Sequence, residues 1–326
     1  MTFEEIMGYH PRNDKIYRQI VKQFKNIVPY IGAGLSADIM PTWKEALRKL
    51  CDNITDPKEK NRIISLIEVD LFDTVSELEK YLGTFNFCKD VVELFSENHI
   101  DSRDSKLLEM PVGQLAALFP ESPVITTNFD RVLEHSFIQS GHMFEHILGP
   151  TAPFGLLADA LQSHSHILYK IHGDIGRNNT DYKSFIFSKE QYEQYYSDGT
   201  QLVKQLSNWL KGKFMLFIGC SLEDDYPIRL LNQIVHEEDY KNSLTHFAII
   251  NCKAEKLDKR SLELGDKHIS AIFYPDGEWD CVNVILKKLY EDTIFPAILE
   301  KAGKLRELYS LTRINALKAS VYDIYP

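Results

Sequence analysis

No block of lysine and arginine stands out anywhere in this chain, and its net charge is −10. A diffuse acidic surface suits solubility and argues against direct binding of nucleic acid or of an anionic membrane. There is no Cys-x-x-Cys pair. The five cysteines, Cys51, Cys88, Cys220, Cys252 and Cys281, lie far apart. The sequence therefore offers neither a disulfide framework nor a structural zinc site, and a reducing, cytoplasmic setting is expected. Long apolar runs are missing as well: the longest, such as Phe214–Ile218, are strand-length and too short to cross a bilayer. The first residues, Met1-Thr-Phe-Glu-Glu-Ile6, are acidic without an apolar core and do not read as a signal peptide. Internal repeats and low-complexity tracts are absent. What remains is an ordinary globular composition, 44% hydrophobic and 26% charged over 326 residues, enough for one large α/β domain or two small ones.

The pattern along the chain favours the first. Ile16, Ile20, Phe24 and Ile27 recur at helical spacing and lead into an apolar strand at Val28–Ile31. Further strand-like runs are Val124–Thr127, Ile167–Ile171, Phe214–Ile218, Phe247–Ile250 and Ile269–Phe273. Helical patterns separate them, including Glu190–Leu210 and Pro227–His236. Apolar strands alternating with helices predict a Rossmann-like parallel sheet with helices on both faces. Residues 52–118 break the rhythm. They are rich in charge and spaced apolar residues and lack clear strands, so they read as a helical insertion after the first βα unit, either a lid or a structural cap. Residues 1–300 are expected to form the main domain and 301–326 a helical extension, with Leu305, Leu308, Leu311 and Ile314 on one face as core or oligomer contact.

The informative polar residues follow strands, where ligands of open parallel sheets bind. After the first strand come Gly32-Ala-Gly-Leu-Ser36 and then a helical Pro41–Leu50. Gly32 and Gly34 remove side chains that would keep a phosphate from the backbone, and Ala37 supplies the small third position of the dinucleotide-binding turn. Thr126-Thr-Asn-Phe-Asp130, His172-Gly-Asp174, Gly219-Cys-Ser-Leu-Glu-Asp224 and Asn251 close later strands. Each has a plain alternative: Asn128 and Asp130 suit helix caps, and the glycines suit turns.

Taken in order, these segments resemble the sirtuin-like fold over residues 28–290. They match its G-A-G-x-S loop, T-x-N-x-D segment, H-G dipeptide, later G-x-S turn and strand ending in Asn. Pro41-Thr-Trp43, Thr126–Asp130 and Lys170–Asp174 are more similar to the bacterial sirtuin-like NAD⁺-cleaving enzymes of antiphage defence, the Thoeris-type and defence-associated sirtuin effectors. The four-cysteine zinc module of deacetylase sirtuins has no counterpart here. The peptide-binding small domain is accordingly expected to be missing or replaced by 52–118, which makes a deacylase the weaker alternative.

The resemblance implies an NAD⁺ glycohydrolase with Asn128 and His172 as its catalytic pair, NAD⁺ as substrate and no metal. Asn128 suits holding a water or ribose hydroxyl, since its amide both donates and accepts. His172, with a reference pKa near 6.5, suits general-base work. Asp130 is expected to accept from the nicotinamide amide. The pyrophosphate is expected on the N–H groups of Gly32, Ala33, Gly34 and Ser36 and of the helix after them, with the Ser36 hydroxyl, Gly219 and Ser221 adding contacts, and Asn251 facing the adenine ribose. The acidic residue usual about 20 positions after the glycines has no candidate, because Asp52 and Asp56 follow a helix. Such an enzyme must be gated. Little chain remains for a separate sensor after the enzyme domain, so gating is expected from homo-oligomerisation or a partner protein, with NAD⁺ depletion and abortive infection as the outcome. A different class also fits: a catalytically silent NAD⁺ or ADP-ribose sensor for a partner. His164, His166 and His172 lack a suggestive ligand partner and are not read as a metal site. Cys220 reads as a small buried thiol, Tyr192, Tyr195 and Tyr196 as packing, and Asp224 and Asp225 as helix-start charges.

Overall fold

A computed structural model describes residues 1–101, 104–153, 155–156, 159, 163, 165–175, 185–222, 226–235 and 245–322. Helices α1 (Phe3–Tyr9) and α2 (Asn13–Gln23) precede strand β1 (Ile27–Ile31), and α3 (Trp43–Leu50) follows it. The next stretch is helical throughout: α4 (Pro57–Leu66), α5 (Leu71–Leu82), α6 (Thr84–Leu94), α7 (Asn98–Asp101) and α8 (Pro111–Leu118). Strand and helix then alternate through β2 (Val124–Thr126), α9 (Val132–Gln139), β3 (His146–Leu148), β4 (Ile167–Lys170), α10 (Lys189–Tyr195), α11 (Gln201–Gly212) and β5 (Phe214–Ile218). They continue through α12 (Tyr226–Val235), β6 (His246–Cys252), α13 (Leu257–Asp266), β7 (Ile269–Pro275) and α14 (Asp280–Tyr322).

The seven strands form one sheet in the order β3-β4-β2-β1-β5-β6-β7, every pairing parallel. All five residues of β1 are buried. Successive side chains of a strand point to opposite faces, and the core divides accordingly. Ile27, Ile31, Leu216 and Ile218 pack with α2, α3, the helical insertion and the first turns of α14. Val28, Tyr30, Met215 and Phe217 pack with α11, α12 and α13. Pro29, with no N–H to offer a ladder, sits one residue before the β1–β2 pairing begins at Tyr30. The chain builds outward from β1 to one side and returns to its other side at β5. The reversal therefore lies between β1 and β5, the position of the ligand crevice in open α/β sheets.

One expectation changes. Glu190–Leu210 is two helices, because Gly199 takes a left-handed φ of +82° and Thr200 caps α11 by accepting from the Val203 N–H. The edge strand β3, only three residues long and partly exposed, carries too little alternation to be read from sequence. At the other end, the helix expected over residues 301–326 is the continuation of α14, which spans Asp280–Tyr322.

Candidate active site

Strand register sets the frame. Ile31 pairs with both Thr126 and Ile218, Thr126 with Lys170, and Ile218 with Ile249. Two residues further along each strand direction lie Asn128, His172 and Asn251, at one depth on the carboxyl edge. Neighbouring strands stand about 4.8 Å apart. His172 is thus one strand from Asn128, and Asn251 is three strands away on the other side, roughly 14 Å along the edge.

Between them the loops after β1 and β5 interlock. The Gly32 N–H donates to Ile218 O at 3.0 Å and the Gly34 N–H to Gly219 O at 2.9 Å. A Cβ on Gly32 would meet Gly219 O at 2.5 Å, and one on Gly219, whose φ is +69°, would meet Leu35 N at 2.4 Å. These glycines are required by the approach of one backbone to another. Leu35 and Ser36 N–H also donate within the loop, to Gly32 O and Ala33 O. In this structure the N–H groups of Gly32, Gly34 and Ser36, expected at a pyrophosphate, are engaged within the protein, as is that of Leu35. The start of α3 is engaged too. Thr42 and Glu45 form a reciprocal capping box, and hydrogen bonds from Thr42 hold the Glu45 carboxyl below its ordinary pKa, which places an anion where a phosphate would approach.

Asn128 is 5% exposed. Its N–H donates to Thr126 Oγ1 at 3.0 Å, and its Nδ2 donates to Ser36 Oγ at 3.1 Å and Gly32 O at 3.4 Å. Ser36 Oγ in turn donates to Asp130 Oδ2 at 3.2 Å. The remaining acceptor, Asn128 Oδ1, is buried with no partner among the described residues. Asp130 is turned inward: its Oδ1 accepts from the Val132 N–H at 3.0 Å at the start of α9. Burial raises its pKa, a shift that Lys170 and the Val132 N–H partly oppose. Ser36 and Asp130 were expected to touch the nucleotide; in the structure they orient the Asn128 amide, and Asp130 also takes the helix-start role that its sequence position allowed.

His172 is buried, and that burial pushes its pKa down to about 3. Its Nε2 lies 2.9 Å from Tyr196 Oη and its Nδ1 3.2 Å from Tyr192 Oη. A neutral imidazole has one donor and one acceptor nitrogen, so one phenol donates and the other accepts. The two tyrosines, four residues apart at the end of α10, stack at 5.7 Å. Phe72 of the helical insertion meets Tyr192 edge-on at 5.1 Å. Tyr192 and Tyr196 therefore do more than pack, and only their helical spacing hinted at a shared face. Tyr195 keeps its packing role.

Other expected residues spread along the edge. Ser221 is exposed, and its carbonyl accepts from Arg260 at 2.6 Å. Asn251 Nδ2 donates to Asp276 Oδ1 at 2.6 Å, which puts a carboxylate at this end of the edge that the sequence did not reveal. Cys220, expected as a buried thiol, is only half-buried, with its Sγ 3.7 Å from Tyr30 O. Glu223, Asp224, Asp225 and His164 fall outside the described residues. His166 packs between Phe137 and Phe144, away from the Tyr192–His172–Tyr196 group. Among the described residues no three His, Cys, Asp or Glu side chains stand together as a metal site. All five cysteines are free thiols. Trp43 of the Pro-Thr-Trp segment packs edge-on against Phe129 at 5.7 Å, joining that motif to the Asn128 loop.

Residues 122–272 match the SIR2-like domain. Over this stretch the chain is similar to that family. It is 27% identical over 235 residues to the NAD(+) hydrolase ThsA of Acinetobacter baumannii (strain 532279), covering 71% of this chain and 44% of that protein. It is 23% identical over 239 residues to the NAD(+) hydrolase ThsA of Bacillus cereus (strain MSX-D12), covering 72% and 45%. The matched part of the chain thus spans less than half the length of these curated relatives. The SIR2-like match begins just before β2, so it includes Asn128, Lys170, His172, Gly219 and Asn251 but leaves out Gly32–Ser36. The hydrogen bond from Asn128 to Ser36 brings that earlier loop into the same site.

Proposed function

We propose that this SIR2-like protein hydrolyses the bond between ribose C1′ and nicotinamide in NAD⁺, releasing nicotinamide and ADP-ribose, with residues 1–300 as the catalytic unit. The observation that carries the reading is the buried Asn128 Oδ1, without a partner among the described residues, in the loop after β2 that is hydrogen-bonded to the turn carrying His172. A buried acceptor without a donor is costly; a water or a ribose hydroxyl supplies the missing donor. In the reaction the C1′–N bond breaks with its electron pair leaving on nicotinamide, which departs neutral. A water oxygen bonds to C1′, and its proton passes to His172 and then to solvent. Asn128 aims the nucleophile and His172 accepts the proton. The names of the two relatives support NAD⁺ as substrate, and Asn251 with Asp276 offers an amide and a carboxylate to the ribose at the far end.

The tyrosines support a gated enzyme. With both ring nitrogens engaged and its pKa near 3, His172 is a weak base. Drawing Tyr192 and Tyr196 away would hydrate the ring and return its pKa toward 6.5. A trigger that does so, acting through homo-oligomerisation or a partner protein, would make this an effector of antiphage defence that depletes NAD⁺ in the bacterial cytoplasm. The test is nicotinamide release from NAD⁺ with and without infected-cell lysate. Release that disappears in Asn128→Ala and in His172→Ala is expected. Tight ADP-ribose binding with no turnover under any activating condition would instead make the protein a sensor, and release that requires an acylated peptide would make it a deacylase.

A further inference from the structure

Lys170, at the end of β4, is 1% exposed, and a charge so buried needs compensation. Its Nζ lies 2.6 Å from Asp130 O, 3.2 Å from Phe129 O, 2.9 Å from Glu134 Oε1 and 2.6 Å from Asp174 Oδ1. Burial works to lower its pKa, but Glu134 and Asp174 outweigh it, so the net shift is upward and the ammonium stays charged. These acceptors come from three places: the loop that carries Asn128, the first turn of α9, and the turn that carries His172. Arg131 extends the network. Its Nη1 lies 3.1 Å from Glu97 Oε1, in the helical insertion, and its Nε lies 3.3 Å from Glu134 Oε1 and 3.9 Å from Asp174 Oδ1. The proposed hydrolysis gives these groups no direct part.

We propose that Lys170 is a positioning residue: its ammonium fastens the Phe129–Asp130 loop to the His172–Asp174 turn and so sets the Asn128 amide against the His172 imidazole. The assignment of those two as the reacting pair rests on the function proposed above. The fastening itself is a statement about the two loops and stands apart from it. A backbone bond spans the same gap, from the Ile175 N–H to Phe129 O at 2.9 Å. Asn128 is further tied through Ser36 to Asp130, whose carbonyl Lys170 holds. Loss of the ammonium would leave two carbonyls and two carboxylates facing one another, and the loops would part. An error of about 1 Å between reacting groups costs on the order of 100-fold in rate.

Lys170→Met, Lys170→Arg and Asp174→Asn in the full chain test this with two readouts. In Lys170→Met, amide hydrogen exchange at Ile175 should quicken by about 100-fold while Phe247 and Ala271 in β6 and β7 stay unchanged. Per folded molecule, kcat for nicotinamide release should fall about 100-fold with ADP-ribose affinity within about threefold, and Lys170→Arg should recover part of the loss. Asp174→Asn, at a partly exposed site, should move both readouts the same way by about tenfold and serves where Lys170→Met does not fold. Unchanged Ile175 exchange in a folded Lys170→Met or in Asp174→Asn overturns the fastening. Quickened exchange with kcat unaltered overturns the positioning role. A wild-type protein that never releases nicotinamide refutes the proposed hydrolysis, and Ile175 exchange still decides whether Lys170 joins the loops.

Discussion

Gly219→Ala is a small change with a calculable cost. The residue sits at φ +69°, a region where an L side chain is disfavoured by about 1–2 kcal/mol. The new methyl would lie 2.4 Å from Leu35 N, 2.9 Å from Gly32 O and 2.9 Å from Gly34 C. All three are backbone atoms, so no side chain can swing aside, and the loop after β1 must move. Overpacking of this kind adds about 1–3 kcal/mol, for a total near 3 kcal/mol. Urea denaturation should show the midpoint falling by about 1 M or more. The kcat for nicotinamide release should fall as well, because Ser36 and, through it, Asn128 ride on the displaced loop. Gly265→Ala is the control. It lies within α13 with nothing within 4 Å of an added Cβ, and should stabilise by up to about 1 kcal/mol. A Gly219→Ala protein within about 0.5 kcal/mol of wild type would refute the interlocked-loop argument.

Three further outcomes are expected. Ser36→Ala should lower kcat with little change in ADP-ribose affinity, since Ser36 orients Asn128; an affinity loss of about tenfold with kcat intact would return Ser36 to pyrophosphate binding. Tyr192→Phe combined with Tyr196→Phe should raise basal nicotinamide release several-fold, as two hydrogen bonds of about 1 kcal/mol each no longer hold His172 shut; an unchanged or lower basal rate would remove the tyrosines from gating. The His172 pKa lies below its unfolded value, at about 3 against 6.5. Between those pH values the unfolded chain takes up a proton that the folded chain refuses, so stability falls as pH drops through the window. The loss from this residue is at most roughly 3 kcal/mol by pH 4.5. Urea midpoints at pH 7 and pH 4.5 should differ less in His172→Gln than in wild type, and equal differences would exclude burial of this imidazole as the cause.

Much of the architecture was legible in one dimension because its signals are local. A run such as Phe214–Ile218 is strand-like from its own residues, and a strand buried on both faces demands a parallel sheet covered by helices. Alternation of such runs with helices located the carboxyl edge and placed Asn128, His172 and Asn251 after strands along it. Residues 52–118 read as helical for the same reason, their apolar residues recurring at a single period. The contact of Gly32 and Gly34 with Gly219 was not legible, because a glycine looks the same in sequence whether it admits a ligand or another stretch of backbone.

Tertiary structure alone decided which partner each polar group found. Gly219 meets Gly32 and Gly34 only because β5 returns to lie beside β1. Tyr192 and Tyr196 reach His172 across some twenty residues, and Lys170 draws in the Asn128 loop from about forty residues earlier in the chain. No periodicity encodes such pairings, since each is selected by the need to satisfy a buried charge or hydrogen-bonding group once the sheet has closed around it.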